Sequence, residues 1–279
     1  MPTVRWSWLV IGSVGLTLGA GCSSAPSYRK EQVAEAIQQI CTNDYRLQVS
    51  AKRVGQTLAV HLQHAGVLEQ TNGQIRLAST ANELLGNVLE AVHRVALSSD
   101  DPEGFYILLV SDPSIPGVYL TLVRYLDDVR RVNANSITPT EFFSRTILQL
   151  QPANPPLTNL NQVVIPDLTL EQFLSWQLAK RIQDRLTEQI HHEGLSQVSV
   201  GPCGGEFSHG EFAFTLNVSP QAGDALPADV VDQLFREATT VIAKVLAGYQ
   251  FNRFDAIRLV HPSTGRNLQL PKQQLDIFR

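Results

Sequence analysis

The sequence predicts an α+β protein of two similar domains, each a small antiparallel sheet with helices packed on one face. Three observations support this prediction: short segments in which apolar and polar residues alternate, long segments with apolar residues at helical spacing, and an order of these segments that occurs twice. The order is helix, two strands, helix, two strands and helix. We expect residues 28–150 to form the first domain and residues 169–279 the second.

The strands are predicted from alternation along the chain. Apolar residues occupy every second position in 45–51 and again in 58–62, and the Gly55-Gln56 turn between them indicates a hairpin. Residues 211–218 alternate most regularly, which is typical of an antiparallel sheet with one polar face. Residues 105–110 are apolar on both faces, which predicts either a central strand or a strand covered by the neighbouring domain.

Four helices are predicted from apolar residues at helical spacing and from start signals. Ser79-Thr80 with Glu83 indicates a capping box at the start of the first, and Thr138 before Pro139 indicates an N-cap for a short second helix. The predicted segments are 79–96, 138–147, 170–192 and 229–249.

The repeated order suggests an internal duplication of the chain. Residues 45–51 resemble residues 195–200, and residues 105–113 resemble residues 254–262 at the same place in the order. Between the two copies, residues 151–168 contain four prolines and show no helical periodicity. This composition predicts a linker between the domains.

Composition excludes some classes of function. The 279 residues carry a net charge of -4 and contain no basic block, which argues against binding nucleic acid. Outside the first two dozen residues, the only cysteines are Cys41 and Cys203. They could form a disulfide in an oxidising compartment or remain buried apolar thiols.

The first residues of the chain form a secretion signal that ends in a cysteine. Arg5 precedes an apolar run from residue 6 to residue 18, and small residues then lead to Cys22. This pattern resembles the lipobox of bacterial lipoproteins, although Gly19 stands where the family usually has leucine.

The resemblance implies cleavage of the signal peptide, residues 1–21, before Cys22. It further implies lipid, including palmitate, on the sulfur and amino group of Cys22, and a membrane anchor in the cell envelope. Residues 22–27 would be the lipidated tether. The residue after the cysteine is Ser23 rather than aspartate, which by the family's sorting rule implies the outer membrane, facing the periplasm.

The alternatives to a lipoprotein are an ordinary secretion signal and an uncleaved transmembrane anchor. No charge falls between Arg5 and Arg29, so the uncharged stretch is long enough to approach the ~20 residues of a spanning helix. Against an anchor, four glycines interrupt the stretch and three serines dilute its far end.

Residues 52–77 admit a second interpretation. If residues 52–64 formed a helix, the segments around Asn72-Gly73 would resemble the wing of a winged helix, which implies DNA binding. The alternative is a strand pair with a small hairpin insertion. We favour the strands, because a lipid-anchored envelope protein meets no DNA.

A group of potential metal ligands lies close together in the sequence: His191, His192, Glu193, Cys203, Glu206 and His209. Imidazole and thiolate are ligands that zinc prefers. However, the spacing matches no zinc motif, and adjacent histidines on a helix point in different directions. The simpler interpretation is a polar, glycine-rich turn after a helix whose C-terminal end favours histidine.

A charged cluster follows the central apolar segment and comprises Arg124, Asp127, Asp128, Arg130 and Arg131. Two of its pairs have i,i+4 spacing, which is typical of a solvent-exposed helix face. The chain contains no Gly-x-Ser-x-Gly or Ser-x-x-Lys motif that would point to nucleophilic catalysis.

We therefore predict a non-catalytic, lipid-anchored interaction module of an envelope complex, which needs no cofactor and binds an envelope protein that the sequence does not identify. The alternatives are an envelope hydrolase that uses the His191–His209 region and a carrier of a small apolar ligand. A binding module requires an exposed apolar patch or an unpaired strand edge. The hydrolase requires the histidines and Cys203 to meet around a pocket, and the carrier requires a closed apolar cavity of at least ~300 Å³.

Overall fold

The computed structural model of the protein describes residues 27–192, 198–220 and 226–278, so the predicted signal peptide and Cys22 lie outside the described residues. Within these ranges the protein is α+β. The helices are α1 (Val33–Tyr45), α2 (Ala81–Ala96), α3 (Leu126–Asn133), α4 (Pro139–Ser144), α5 (Leu170–His192) and α6 (Ala228–Gly248). In this part of the chain no helix combines the length and the apolar character needed to cross a membrane.

The strands belong to two larger and two smaller sheets. They are β1 (Val49–Val54), β2 (Thr57–Gln63), β3 (Leu68–Thr71), β4 (Gln74–Leu77), β5 (Phe105–Ser111), β6 (Val118–Tyr125), β7 (Ile147–Pro152), β8 (Val198–Val200), β9 (Gly204–Ser208), β10 (Glu211–Thr215), β11 (Val218–Pro220), β12 (Ala256–His261) and β13 (Arg266–Pro271). The first sheet has the order β1-β2-β5-β6-β7 and the second the order β13-β12-β10-β9. The pairs β3-β4 and β8-β11 form the smaller sheets.

Each larger sheet contains one parallel pair, so the prediction of purely antiparallel sheets is wrong at that pair. In the first sheet β2 runs parallel to β5, and in the second β10 runs parallel to β12. In both cases a helix lies between the two strands in the chain, and such a crossover returns the chain in the same direction. The remaining pairs of both sheets are antiparallel.

The first hairpin confirms the predicted turn and removes the winged-helix alternative. β1 and β2 pair in register from Val54↔Thr57 outward, around the Gly55-Gln56 turn. Residues 57–63 therefore form a strand rather than a helix, and residues 68–77 form the small inserted hairpin. The alternation predicted that this strand begins at Tyr45. Tyr45 is instead the last residue of α1, and strand β1 begins at Val49.

The predicted helices are present with small differences at their ends. Thr138 caps α4 by accepting a hydrogen bond from the Glu141 amide at 3.1 Å, as predicted. The helix ends at Ser144, however, and Ile147 begins β7 instead of continuing the helix. The predicted capping box of α2 is not formed, because Thr80 has a helical backbone and its side chain makes no capping bond.

Apolar side chains cover both faces of the first sheet. One face packs against α1 and α2 through a cluster that includes Leu58 of β2 and Leu108 of β5. The other face belongs to a cluster that continues through α5 and α6 into the second sheet. The Phe105 ring lies 5.5 Å from the Phe173 ring of α5, centroid to centroid. Strand β5 is thus both central and covered by the second half, so both predictions for residues 105–110 are confirmed.

The proline-rich segment 151–168 packs against the first sheet. Its first two residues complete β7, and a short 3-10 helix spans Leu160–Gln162. Four of its aliphatic side chains are buried in the cluster that joins the two halves: Leu157, Leu160, Ile165 and Leu168. This packing fixes the position of β7 relative to α5, which begins two residues after the segment.

Candidate functional site

The predicted metal ligands do not form a metal site in the described part of the chain. His191 and His192 are exposed at the end of α5, and His209 is exposed in the β9-β10 turn with a left-handed backbone. Glu206 is exposed on β9, and Glu193 lies outside the described residues. Among the described residues, no three histidine, cysteine or acidic side chains come close enough to hold a metal ion.

The two cysteines are free thiols in different places. Cys41 is fully buried under the first sheet, and burial raises its pKa to about 11. Cys203 is half-buried just before β9, and burial raises its pKa as well. Both shifts lower the thiolate fraction at neutral pH, so neither cysteine is activated as a nucleophile relative to an ordinary thiol.

The charged cluster is only partly the solvent-exposed face that the spacing predicted. Asp127 and Arg131 form the predicted i,i+4 pair on α3, at 2.8 Å. Arg124 and Asp128 do not pair with each other, because Arg124 is buried on β6 and Asp128 is buried facing a different arginine. The prediction is wrong for these two residues because helix spacing is irrelevant to Arg124, which lies on a strand.

Strand β7 forms a free border of the first sheet. It pairs with β6 on one side, and among the described residues no strand lies on its other side. Its sequence from Ile147 to Pro152 contains no charged residue. Natural edge strands are usually protected by charge, by proline, by a bulge or by covering structure, because their unpaired N–H and C=O groups can pair with another chain. Of these protections β7 carries only Pro152, at its last residue.

Three large apolar side chains are exposed along this border. Leu148 and Leu150 of β7 are 42% and 40% exposed, and Phe143 of α4 is 66% exposed. The leucines lie opposite Leu122 and Leu120 of β6, whose side chains enter the core beneath α1 and α2. The helices do not reach the outer border, so the core face of the sheet continues there as an exposed surface. We call Phe143, Leu148 and Leu150 the β7 border.

The sheet positions Phe143 above the same face as the leucines. The Arg124 guanidinium lies 4.5 Å from the ring centroid of Phe142 and 5.9 Å from that of Phe143. Arg124 and Leu122 alternate with Val123 on β6 and so point to one face of the sheet. Arg124 is held in turn by hydrogen bonds to the hydroxyl oxygens of Tyr106, at 3.1 Å, and Thr146, at 2.9 Å.

A buried ion pair anchors the start of β7. The Arg145 guanidinium donates to the Asp128 carboxylate at 2.7 Å and to the Glu141 carboxylate at 2.9 Å. The hydroxyl of Tyr249, the residue that follows α6, donates to the second oxygen of Asp128 at 2.7 Å, and the guanidinium stacks 4.2 Å from the Tyr249 ring centroid. The Gln177 amide of α5 donates to the Arg145 carbonyl at 2.6 Å.

This network joins α3, α4, α5 and α6 immediately before β7. Burial raises the pKa of Asp128, while the hydrogen bonds from Tyr249 and Arg145 act in the opposite direction. The pKa of the Tyr249 phenol is raised by burial and by the nearby carboxylate, so the phenol remains a hydrogen-bond donor. The start of the border strand is consequently held by buried polar contacts, although its outer edge pairs with no other described strand.

The sequence analysis did not identify this border, because its alternating segment is only five residues long and lies between a predicted helix and a predicted linker. Phe143 was assigned to a helix that ran through Ile147, and Gln151 was assigned to the linker. The alternation between Ile147 and Gln151 was the available signal, and it indicates a strand with apolar residues on one face and glutamines on the other.

Comparison with known proteins adds no assignment. No family model matches the chain, and no significant match is found among curated proteins or among solved structures.

Proposed function

We propose that this protein is a lipid-anchored protein of the bacterial cell envelope that acts, without catalysis, by binding an extended segment of another envelope protein at the β7 border. The anchor is the lipid on Cys22 that the signal sequence implies. The observation that carries the binding function is the free, uncharged edge of β7 with its exposed leucines.

The edge supports binding by strand addition. An added strand hydrogen-bonds to the main-chain groups of an edge, which supplies affinity, and its alternate side chains contact the surface beside the edge, which supplies specificity. On one face those side chains would meet Leu148 and Leu150, and on the other they would meet Gln149 and Gln151. The partner segment is therefore expected to be extended, apolar on one face and uncharged on the other.

A lipid on Cys22 would keep Ser27, where the chain joins the folded part, close to the membrane. The Ser27 amide donates to the Ser98 carbonyl at 2.9 Å, so the chain is already attached to the folded part at this residue. The five residues after Cys22 reach at most ~17 Å when fully extended.

The proposal also includes a duplicated architecture. In each half an antiparallel hairpin is followed by a helix and a second antiparallel pair, and the inner strands of the two pairs run parallel. What supports duplication is this shared sequence of pairings. In the first half one strand, β7, extends the sheet beyond the four shared strands, and among the described residues it has no counterpart at the corresponding border of the second sheet.

The anchor is tested by Cys22→Ser and membrane fractionation. We expect the native protein in the membrane fraction and the variant in the soluble fraction, because the acceptor of the lipid is gone. Ser23→Ala leaves the lipid acceptor in place and serves as the control. A Cys22→Ser variant that still sediments with membranes would refute lipid tethering at this residue.

The border is tested by photo-crosslinking in the intact envelope. A photoreactive amino acid at position 150 should give a crosslinked product with one envelope protein, and the same amino acid at position 52 on β1 should not. The product should disappear when Leu148→Lys is added, since a charge at the edge opposes strand addition. A product that persists with Leu148→Lys, or that forms equally from position 52, would contradict binding at β7.

A further inference from the structure

A small cleft lies on the other face of β7, between the two halves of the protein. Its walls come from β6, β7, α5 and the start of β9, and its volume is about 270 Å³. The residues that matter for recognition are Thr121, Gln149, Gln151, Trp176, Cys203 and Gly205, and the others are aliphatic. We call it the Trp176 cleft. Because side chains alternate along a strand, the glutamines of the cleft point away from Leu148 and Leu150.

The polar side of the cleft is a strip on the two last strands of the first sheet. Thr121 of β6 lies directly opposite Gln149 of β7, and Gln151 follows on the same face. The Thr121 hydroxyl oxygen is buried and has no hydrogen-bond partner within the described chain. A buried hydroxyl without a partner is costly, so a hydrogen bond added at Thr121 would be favourable.

The opposite side of the cleft is apolar and aromatic. Trp176 and Ala179 are three residues apart on α5 and so share one face of the helix. The Trp176 side chain is 37% exposed although it stands between two packed halves. Gly205 also lines the cleft. A Cβ at this position would come within 2.3 Å of the Ser175 carbonyl oxygen, so only glycine lets β9 approach α5 this closely.

The lining excludes charged ligands. None of the side chains around the cleft carries a charge, and an ion transferred into such a site would lose its water without gaining a counter-charge. A glutamine amide both donates and accepts hydrogen bonds, as a threonine hydroxyl does. The ligand that matches this set is uncharged, carries several hydroxyl or amide groups along one side, and has an apolar face for the indole ring.

The volume limits the size of the ligand. Pockets for drug-sized molecules typically occupy ~300–1,000 Å³, and this cleft falls just below that range. It therefore accommodates one six-membered ring with its substituents. A pyranose sugar has the required shape, because its ring C–H groups form an apolar face and its hydroxyl groups form a polar rim.

We propose that the Trp176 cleft binds one neutral pyranose ring, with the ring face against Trp176 and its hydroxyl groups hydrogen-bonded to Thr121 and the two glutamines. The two glutamines also lie beside the edge at which strand addition is proposed, but sugar binding is tested on the isolated protein and does not depend on the proposed function. The ring could be a free monosaccharide or the terminal residue of an envelope glycan, and both present the same chemistry to the cleft.

The chain provides its own reporter for this site. Trp6 and Trp8 lie in the predicted signal peptide, so Trp176 is the only tryptophan of residues 22–279. We would produce residues 22–279 with Cys22→Ser and follow tryptophan fluorescence while adding glucose, N-acetylglucosamine or chitotriose. We expect a saturable change in emission with at least one of these sugars, in the millimolar range.

Equal affinity for N-acetylglucosamine and chitotriose would identify a single ring as the ligand, and binding of chitotriose alone would identify the end of a glycan. Either result supports the proposal. If none of the three sugars gives a saturable change, the proposal is wrong.

Variants at the polar strip separate recognition from folding. Thr121→Val replaces the hydroxyl by a methyl group and should weaken sugar binding about two- to tenfold, which corresponds to the loss of one hydrogen bond. Gln149→Glu places a charge in the cleft and should weaken it further, whereas Gln70→Glu on the exposed β3 adds the same charge elsewhere and should have no effect. Thermal unfolding followed by circular dichroism verifies that each variant is folded.

Alkylation of Cys203 gives a second readout at the same site. With Cys22 replaced and Cys41 fully buried, Cys203 is the thiol that a reagent can reach in the native protein. A bound sugar should slow this alkylation in proportion to the occupied fraction. If fluorescence changes but Cys203 reacts at the same rate, or if Thr121→Val and Gln149→Glu bind sugar like the native protein, the ring does not occupy this cleft and the proposal fails.

Discussion

The two borders of the five-stranded sheet, β1 and β7, are protected in different ways. β1 carries Lys52 and Arg53, and all six of its residues are half-buried. The Lys52 ammonium donates to the Leu160 carbonyl at 3.1 Å, and the Arg53 guanidinium donates to the Asp101 carboxylate at 2.8 Å. Charged side chains and the packed segment 151–168 therefore cover the β1 border.

β7 has none of these protections. It carries no charge, and two of its side chains expose apolar surface. Instead of cover along its edge, β7 has a buried anchor at its start, where Arg145 meets Asp128. The sheet is therefore covered at the β1 border, whereas the β7 border is uncovered and is held by a buried ion pair at its start. An edge that is fixed in position and free of charge is suited to pairing with another chain.

The largest expected effect comes from removing the buried ion pair between Asp128 and Arg145. In Asp128→Ala the Arg145 guanidinium remains buried without its main partner, which should lower the free energy of unfolding by about 3–5 kcal/mol. The neighbouring variant Asp127→Ala removes an exposed i,i+4 pair with Arg131 and should cost about 0.5 kcal/mol or less. Urea unfolding of the two variants gives the comparison.

If Asp128→Ala and Asp127→Ala were equally mild, the buried network would not hold β7 in place. Asp128→Asn keeps the shape of the side chain and part of its hydrogen bonding, so it should lie between the two alanine variants. This variant also shows how much of the effect depends on the charge of Asp128.

The second expected effect is a loss of stability in acid, caused by protonation of His93, which lies in the hydrogen-bonded group beneath the β7 border. His93 of α2 is hydrogen-bonded to the Tyr106 hydroxyl at 2.9 Å, and Tyr106 is bonded to Arg124 under Phe143. Burial, followed by the charge of Arg124, lowers the pKa of His93 from 6.5 to about 4. The folded protein thus keeps this imidazole neutral at a pH where the unfolded chain protonates it.

The sign of the effect follows from proton binding. Between pH 6.5 and about 4 the unfolded chain binds the proton first, so the contribution of His93 to stability is complete above this window and is lost as the pH falls through it. The loss between pH 7 and pH 5 should be about 1–2 kcal/mol.

His93→Gln keeps a polar group near Tyr106 but cannot titrate, so it should remove this part of the pH dependence. The exposed His64→Gln is the matched control. The measurement is the difference between native protein and variant in urea unfolding at the two pH values. An identical pH dependence in the native protein and His93→Gln would show that His93 is not the acid-sensitive group.

The sequence predicted much of the fold because the long periodic segments report directly on burial. In α5 and α6 the predicted stripes are the buried faces, and in β10 Phe212 and Phe214 are both buried as the alternation indicates. Whether neighbouring strands run parallel or antiparallel was harder to predict from the sequence. β10 alternates regularly and still pairs in parallel with β12, so alternation did not fix the direction of the neighbouring strand. The parallel pairing of β2 with β5 follows from the crossover through α2.

The candidate site was less predictable because its residues are apart in the sequence. Arg124, Asp128 and Arg145 form no local motif, and a helical spacing assigned the first two to one exposed face. Their burial depends on β6, α3 and the start of β7 meeting in space. Similarly, the alternation of apolar residues along β7 indicates which face belongs to the core. It does not indicate whether the helices that cover this face extend as far as Leu148 and Leu150.

The smallest expected change in stability comes from two substitutions that exchange a charged and an apolar residue between the two borders. Leu148→Lys gives β7 the kind of charge that protects β1, and Lys52→Leu removes that charge from β1. Leu148 is already 42% exposed, so its replacement should change the free energy of unfolding by about 1 kcal/mol or less. Lys52→Leu also loses the bond to Leu160 and should cost about 1 kcal/mol.

The two variants should nevertheless differ in association. Light scattering at increasing protein concentration should show less self-association for Leu148→Lys and more for Lys52→Leu, because an uncharged edge pairs readily with another chain. Scattering that does not change in either variant would mean that charge is not what distinguishes the borders. A loss of several kcal/mol in Leu148→Lys would instead show that the leucine stabilises the fold, and the β7 border would then be a structural surface rather than a binding surface.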